Sequence, residues 1–328
     1  MTKPVLKFIF DLAKFSMVAC AGYVFLVLFI GDLAIRQHIL PITLLKNIHF
    51  KYGIKGRTLE RLAEAQTRAE VDILFLGSSH SFTGFDPRIF QRHGYSTFNL
   101  GTNSQTPLQS RYLIERYLNE LSPKLVVYEA YPSMLCSDGV ESALDILSNE
   151  QWEKQSLQLV TNHRNIKVIN TALFSFYMQV AHPNNQKGSS SSGDVYVGYG
   201  YVEPEPKHYH PKPIPSEQWQ INENQVNALK EFRSFIVAHH IPCIAVQAPI
   251  SNTLRNARTN EAEFDARMES IGIYVNFNKR LQLLDTVHFA DNNHLNKVGV
   301  NEFNNKFISW LDSTLVRTVD NKIVIRVR

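Results

Sequence analysis

Residues 71–77, with the sequence VDILFLG, form an almost unbroken apolar run that ends at a glycine. A strand with one solvated face alternates apolar and polar residues, whereas so continuous a run is typical of a strand buried on both faces. Strand-like and helical segments alternate along the chain, with further strands at 95–101, 123–132 and 241–249 and helices at 58–69, 107–121, 222–240, 254–270 and 297–315. This alternation predicts an α/β fold, a three-layer sandwich in which helices cover both faces of a central parallel sheet. In such sheets ligands bind beyond the carboxyl ends of the strands.

The composition is that of an ordinary globular protein with a small net charge. The 328 residues are 44% hydrophobic and 20% charged, which is enough chain to bury a large core. The formal net charge of +4 is dispersed along a sequence without a basic block or a nucleic-acid-binding motif, so we expect no nucleic acid partner. The cysteines Cys20, Cys136 and Cys243 are isolated, which predicts neither a redox pair nor a zinc site.

The N-terminal segment is a candidate membrane anchor. Residues 15–31, FSMVACAGYVFLVLFIG, carry no charge, and extension back to Phe8 reaches the length of a transmembrane helix. Three lysines precede this apolar stretch, and this asymmetry predicts a cytoplasmic N-terminus with the remaining chain outside the cytoplasm. The alternative is a cleaved signal peptide, but the stretch is longer than a normal signal-peptide core and no good small-x-small site follows it.

The predicted organisation has three parts: a cytoplasmic tip and transmembrane anchor at 1–31, a stalk at 32–57 and one extracytoplasmic domain at 58–328. Residues 182–216 interrupt the domain with a serine-glycine tract and a proline-rich tract, which predicts a flexible insertion. The aromatic stretch DVYVGYGYVEP inside it reads either as a sugar-stacking wall or as a plain hairpin. His208 and His210 lack a third ligand at metal spacing, so we expect no metal, and no organic cofactor is indicated.

Chemistry-bearing residues follow the first predicted strand and recur near the C-terminus. The strand ends at Gly77, and three serines around a histidine come next. A serine is a weak nucleophile until a neighbouring base accepts its proton. In residues 288–300, HFADNNHLNKVGV, Asp291 stands three positions before His294 and just ahead of a predicted helix. This spacing lets the carboxylate hold one ring nitrogen while the other faces a serine, as in a Ser-His-Asp triad.

Each motif also has a purely structural interpretation. Asp291 and the two asparagines that follow it can cap the next helix and leave His294 exposed to solvent. The serine cluster can be a polar turn at the end of a strand. Catalysis therefore requires that the two motifs meet at one rim of the sheet.

Together the two motifs resemble those of the SGNH/GDSL hydrolase superfamily. In that family the nucleophilic serine follows the first strand in a Gly-Asp-Ser-like element, and a D-x-x-H pair lies near the C-terminus. The elements FLGSSHS and DNNHLNKVG match this arrangement and span residues 71–300. The resemblance implies that Ser79 is the nucleophile, His294 the base and Asp291 its partner, with Ser78 in the position usually held by the aspartate.

The resemblance also implies an oxyanion hole, which this sequence matches unevenly. The element FNLGTNS stands where the family places its oxyanion-hole glycine, so the N–H of Gly101 is expected to act together with that of Ser79. The family's G-x-N-D element should follow the third strand, where this chain has EAYPSM. Asn103 is the candidate for the missing side-chain donor. A plain turn glycine is the alternative interpretation of Gly101.

The anchor, the Gly-Ser-Ser element and the missing G-x-N-D are similar to the SGNH-like proteins of cell-envelope modification. The DltD-type and AlgX/AlgJ-type proteins partner membrane-bound O-acyltransferases and handle acyl groups on envelope polymers. The resemblance implies a single-pass protein of a bacterial inner membrane that transfers or removes an acyl group, acetyl by first expectation, on an envelope polysaccharide or other glycan. Two alternatives stay open: an inactive SGNH-like scaffold or glycan-binding protein, and a generic lipase or esterase.

Overall fold

The computed structural model describes residues 3–41, 46–50, 52–53, 57–183, 193–207, 209–317 and 323–325. Its helices are α1 Lys3–Gly31, α2 Thr58–Ala65, α3 Ser79–Gly84, α4 Pro87–Arg92, α5 Pro107–Leu121, α6 Pro132–Cys136, α7 Val140–Asn149, α8 Ser156–His163, α9 Ile166–Ala181, α10 Glu223–Ala238, α11 Asn252–Asn256, α12 Glu261–Ile271, α13 Asp285–His288 and α14 Lys297–Thr314. Its strands are β1 Ile73–Leu76, β2 Thr97–Asn99, β3 Leu125–Glu129, β4 Val195–Gly198, β5 Tyr201–Glu203, β6 Cys243–Gln247, β7 Tyr274–Asn276, β8 Leu315–Arg317 and β9 Ile323–Ile325.

Five strands form the central sheet in the order β2-β1-β3-β6-β7, and each neighbouring pair is parallel. Renumbered by their order in the chain, these strands run 2-1-3-4-5, which is the flavodoxin-like order. The predicted α/β sandwich around a parallel sheet is confirmed. Because the strand order reverses beside β1, the crevice at the carboxyl ends of β1 and β3 is where a ligand site is expected.

Side chains of β1 enter two separate cores, one on each face of the sheet. Leu74 and Leu76 lie in the core that also contains residues of α5 and α10. Ile73 and Phe75 lie in the opposite core, which contains residues of α4 and α14. Successive side chains of a strand point to opposite faces, so a strand buried on both faces needs apolar residues throughout.

Aromatic rings in the second core tie the C-terminal helix to the first strand. Phe75 of β1 stacks on Phe85 with ring centroids 4.2 Å apart. Phe307 of α14 packs against Phe85 at 5.6 Å and lies 6.4 Å from Phe75. Such aromatic contacts add to the burial energy of each ring. They fix α14, which follows the D-x-x-H segment, beside the strand that leads to Ser79.

Helix α1 is the helix in the described part of the chain that is long and apolar enough to cross a membrane. The segment predicted as a stalk lies against the domain. Ile48 is buried, the N–H of His49 donates to Thr171 Oγ1 (2.9 Å), and the N–H of Gly53 donates to Asn149 Oδ1 (2.7 Å). These contacts hold the described residues 46–50 and 52–53 on α7 and α9.

The predicted insertion at 182–216 contains a two-stranded hairpin, β4–β5, formed by its aromatic stretch. The hairpin covers the edge strand β2, since the carbonyl of Tyr199 accepts from the N–H of Asn99 at 3.0 Å. Glu203 of β5 forms ion pairs with Arg88 of α4 and with Lys297 of α14. Residues 184–192 and His208 lie outside the described residues.

We expect Gly77→Ala to destabilise the domain. Gly77 has φ +137°, and an added Cβ would lie 2.8 Å from both the Cβ and the carbonyl oxygen of Glu129. Backbone strain of this kind costs on the order of 1–3 kcal/mol. Thermal unfolding of the full chain in detergent, followed by circular dichroism, should show a midpoint lowered by several degrees.

Gly84→Ala is the matched control for this substitution. A Cβ added at Gly84, the last residue of α3, meets no heavy atom within 4 Å. Its unfolding midpoint should equal that of the wild type or exceed it slightly, because alanine has less backbone freedom to lose. Equal losses in the two variants would contradict a specific constraint at Gly77.

Candidate active site

The turn after β1 presents Ser79 at the carboxyl end of the sheet. Ser78 is the N-cap of α3, and its hydroxyl accepts a hydrogen bond from the N–H of His80 at 3.4 Å. Ser79 is the first residue of the helix, and it is partly exposed while Ser78 is buried. The left-handed backbone of Gly77 makes the reversal from strand to helix possible. The local sequence therefore separates a buried capping hydroxyl from an accessible one.

Ser79, His294 and Asp291 form one hydrogen-bonded chain. Ser79 Oγ lies 2.7 Å from His294 Nε2. His294 Nδ1 lies 2.9 Å from Asp291 Oδ2 and 3.1 Å from Oδ1. An ionised carboxylate only accepts, so Nδ1 carries the proton and Nε2 is free to accept the serine proton. Ser79 and His294 are 215 residues apart in the sequence, and the structure brings them together with Asp291.

The Asp291 carboxylate is held in its ionised form. Burial alone would raise its pKa, but hydrogen bonds from the His294 ring and from the N–H groups of Asn293 and His294 outweigh burial and lower the pKa to about 2. The side chains of Asp291 and His294 are 53% and 27% exposed, so a substrate can reach the site from solvent. Asp291 therefore serves as a permanent acceptor for the imidazole at neutral pH.

The loop that carries His294 is fixed by the residues of its own motif. Leu295 is buried and forms a β-bridge with Phe289, and the N–H of Ala290 donates to the carbonyl of His294 at 2.9 Å. Asn296 caps α14 by accepting from the N–H groups of Val298 (3.0 Å) and Gly299 (3.1 Å). The segment HLNKVG, residues 294–299, thus closes the loop and starts the next helix.

A glycine is required at position 299 for a separate reason. A Cβ there would lie 2.2 Å from the carbonyl oxygen of His288, so any side chain would push the helix away from the loop. The capping interpretation gave the cap of α14 to Asp291 and the two asparagines that follow it, whereas the structure gives this role to Asn296. Asp291 accepts from the His294 ring.

A buried carboxyl–imidazole pair lies beneath Ser79. Glu129 at the end of β3 and His80 of α3 are 1% and 4% exposed, and His80 Nδ1 lies 4.0 Å from Glu129 Oε2. Burial raises the pKa of Glu129 to about 8, and burial together with the nearby His294 lowers the pKa of His80 well below its usual value. Both shifts favour the uncharged form, so at neutral pH this is a neutral acid beside a neutral imidazole and not a salt bridge.

His80 also contacts the triad directly. Its ring centroid lies 4.8 Å from that of His294 and 4.0 Å from that of Tyr131, in edge-to-face arrangements. A charged His80 would repel His294 whenever His294 gains a proton, so an uncharged ring suits this position. The sequence motifs predicted no role for His80 or Glu129. A single acidic residue at the end of the buried strand LVVYE is the feature that could have pointed to Glu129.

The two predicted oxyanion donors besides Ser79 have other partners in the structure. The N–H of Gly101 donates to Asn99 Oδ1 at 2.8 Å, and the Nδ2 of Asn103 donates to Asp145 Oδ2 at 3.1 Å. The Gly101 N–H is occupied by this bond, whereas Asn103 Nδ2 carries a second hydrogen that the bond to Asp145 does not use. The assignment of Gly101 and Asn103 to the oxyanion hole stays a prediction.

The position of the missing G-x-N-D element is occupied by the start of α6. Tyr131 is the N-cap of α6, and its hydroxyl accepts a long hydrogen bond of 3.4 Å from the side chain of Asn293. Tyr131 thus braces the loop that carries His294. Within the described residues no cluster of three or more potential metal ligands is present, and Cys136 and Cys243 form no disulfide.

As the pH rises from about 5 to about 8, we expect the wild type to lose stability relative to Glu129→Gln. The folded protein keeps a proton on Glu129 up to about pH 8, whereas the unfolded chain releases it near the ordinary value of 4.5. In this window the folded state binds more protons, so a rise in pH favours unfolding. Thermal midpoints of both proteins at several pH values measure the difference.

Glu203→Gln is the control for this pH series. Hydrogen bonds from Arg88 and Lys297 outweigh burial and lower the pKa of Glu203, so its titration lies at more acidic pH. The midpoint difference between the wild type and Glu203→Gln should therefore stay constant across the same window. A constant difference for Glu129→Gln as well would show that Glu129 is ionised in the fold.

Comparison with known proteins gives limited likeness. No protein-family model matches this chain, and no curated protein matches it. Among solved structures, a GDSL-like lipase from Bacteroides thetaiotaomicron is 13% identical, with a TM-score of 0.38 over 77% of this chain and 94% of that one. A predicted acylhydrolase from Bacteroides fragilis is 12% identical, with a TM-score of 0.41 over 81% of this chain and 99% of that one. At such identity the likeness concerns the fold alone, and the chemistry must be argued from the site.

Proposed function

We propose that this chain is an SGNH-like serine esterase or O-acyltransferase that works through an acyl-serine intermediate at Ser79. The observation that carries the proposal is the 2.7 Å contact between Ser79 Oγ and His294 Nε2, with Asp291 behind the imidazole. A hydroxyl, a base and a carboxylate in this order make a serine nucleophilic at neutral pH. The site lies at the carboxyl ends of β1 and β3, where ligands of such sheets bind.

The reaction proceeds in two transfers. His294 Nε2 accepts the Ser79 proton while Oγ forms a bond to the acyl carbon of an ester. His294 then gives that proton to the departing alkoxide, so the alcohol leaves and the acyl group remains on Ser79. A second hydroxyl, from water or from a sugar, loses its proton to His294 and attacks the acyl carbon. The bond between that carbon and Ser79 Oγ then breaks, and His294 returns the proton to Oγ. Water gives hydrolysis and a sugar gives transfer, with the same three residues.

The oxyanion of the tetrahedral intermediate requires hydrogen-bond donors. The backbone N–H of Ser79, in the first turn of α3, is the first donor that we propose. Each such donor is typically worth about 2.7–4 kcal/mol. Release of the Gly101 N–H from Asn99 on substrate binding would supply a second donor.

We propose an acylated cell-envelope glycan as the substrate, with acetyl as the acyl group. In support, α1 has the length and hydropathy of a membrane span, and lysines precede its apolar part. A single-pass anchor in a bacterial inner membrane would place the domain outside the cytoplasm, where envelope polymers are modified. A membrane-bound O-acyltransferase would then be the partner that delivers the acyl group.

A second candidate function is a non-catalytic envelope scaffold or glycan-binding protein with the same fold. The bond from the Gly101 N–H to Asn99 favours it, because a group engaged in this way is not free to stabilise an oxyanion. The triad geometry favours the enzyme. A generic lipase or esterase is the third possibility, and it differs from the first in substrate and not in mechanism.

We expect a fluorophosphonate probe to label the wild-type protein and not Ser79→Ala. The probe reacts with an activated serine, and His294 activates only the hydroxyl within its reach. Ser78→Ala is the control, because the buried Ser78 hydroxyl makes no contact with His294 and its loss should leave labelling in place. Labelling lost in Ser78→Ala and kept in Ser79→Ala would place the nucleophile one residue earlier, and an unlabelled wild type would favour the scaffold.

We expect Ser79→Ala and His294→Ala each to lower the rate of ester cleavage by about 10³-fold or more. The double variant should be no slower than either single one, since the two residues act as a unit. Rates on an acetylated glycan, a short-chain ester and a long-chain ester measure both the effect and the substrate class. Preference for the long-chain ester would support the generic lipase, and additive losses would contradict the shared mechanism.

A further inference from the structure

We propose that the outer face of helices α8 and α9 rests in the membrane interface beside α1, so that the domain is docked on the lipid surface by its flank as well as tethered by its N-terminus. This inference goes beyond the chemistry of the site. It rests only on the part of the proposed function in which α1 crosses a membrane.

Helix α9 exposes a continuous apolar stripe. Its members recur at spacings of three and four residues, which places them on one side of the helix: Ile166, Ile169, Leu173, Phe176 and Val180. Ile166, Phe176 and Val180 are 46%, 51% and 67% exposed. Leu157 of the neighbouring α8 adds a further side chain that is 52% exposed. A contiguous apolar surface on a folded domain marks a site of interaction with a partner or a membrane.

The opposite side of α9 is buried in the domain. Val168, Thr171, Ala172 and Ser175 are buried, and α9 packs on α7. The domain covers this side of α9 and leaves the stripe on the other side uncovered. An apolar helix face is normally buried against a neighbour. At 16 residues, or roughly 24 Å, α9 is too short to cross a membrane and is already fixed along one side.

Helix α1 brings this stripe to the membrane. The hydroxyl of Tyr23 donates to Asn170 Oδ1 at 2.9 Å, and the ring of Phe174 lies against Gly31. These contacts place α9 alongside the last turns of α1, which belong to its charge-free stretch of residues 15–31.

The two helices run in the same direction, because Tyr23 meets Asn170 and Asp32, just after α1, meets Tyr177. Ile166, at the start of α9, therefore lies deeper along the charge-free stretch than Val180, which is at the level of Asp32. The N-terminal half of the stripe is the part that lies at the level of the lipid headgroups and the upper acyl chains.

Exposed residues of α1 continue the same surface. Phe25, Leu26 and Phe29 are 69%, 53% and 53% exposed, although each lies in the part of α1 that runs beside α9. If α1 is in lipid, these three side chains are in lipid as well. Continuity with them is what favours a bilayer over a second protein as the occupant of the α9 stripe.

The charges on this flank suit a lipid surface. Residues 154–182 contain no aspartate or glutamate. The carboxylate next to them, Asp32, contacts Tyr177 and His182, but it is already buried and paired with Arg36 and so does not face the lipid. Lys154, Arg164 and Lys167 are exposed around the N-terminal end of α9. Basic side chains at the edge of an apolar helix face can reach headgroup phosphates, as in interfacial amphipathic helices.

The test uses the full chain reconstituted in vesicles of phosphatidylethanolamine and phosphatidylglycerol. An environment-sensitive fluorophore is attached at Ile166→Cys, at the deep end of the stripe and 46% exposed, in a background in which the three native cysteines are replaced by alanine. Val18→Cys, in the middle of α1 and 72% exposed, reports on the anchor. Val237→Cys, on α10 and 44% exposed, is the matched control outside this surface.

We expect nitroxides on the lipid acyl chains to quench the labels at 18 and 166, and aqueous iodide to quench the label at 237. Lipid quenching at 18 with iodide quenching at 166 would overturn the docked face while leaving the anchor intact. A label at 166 shielded from both quenchers would show a protein occupant, a second copy or a partner, and would also overturn the proposal. Fluorophosphonate labelling of Ser79, measured on the same samples, keeps a failure of this inference separate from a failure of the proposed chemistry.

Discussion

The hydrogen bond between Ser79 and His294 is the interaction on which the account of this molecule depends. It joins the turn after the first strand of the central sheet to the loop before α14. The two residues are far apart in the sequence, and only the folded sheet brings them together. The glycine turn after β1 positions the hydroxyl, and the bridged loop before α14 positions the imidazole. The aromatic core between β1 and α14 then fixes the turn and the loop relative to each other. Packing far from solvent thus sets the distance between Ser79 and His294 on which the proposed activation of the serine depends.

Two carboxyl groups near this bond are driven to opposite protonation states. Asp291 is at the surface, accepts several hydrogen bonds and stays ionised, whereas Glu129 is buried without a cation and stays protonated. The same contrast appears wherever an enzyme needs one charged and one neutral acid. Here it places the negative charge behind the imidazole and removes charge from the floor beneath Ser79. His80, uncharged and in ring contact with His294, belongs to the same arrangement.

The sequence predicted the sheet well because strands buried on both faces have a distinct apolar signature. It missed β7, which is three residues long, and it missed α9, whose two apolar sides hide the helical period. The motif GSS and the motif D-x-x-H led to Ser79, Asp291 and His294 because local spacing constrains them. The partners of Gly101 and Asn103 depend on Asn99 and Asp145, and such loop packing has no local signature. Tertiary contacts of this kind are set by the whole fold and not by the local sequence.

An acyl group caught on Ser79 would test the central claim most directly. The protein is mixed with an activated acetyl ester, quenched in acid within the first turnover and digested for mass spectrometry. The account predicts an added acetyl mass on the peptide that contains Ser79, and its absence from the His294→Ala protein. An acetyl group found on another residue, or equally on Ser79 with and without His294, would contradict a serine activated by its distant imidazole.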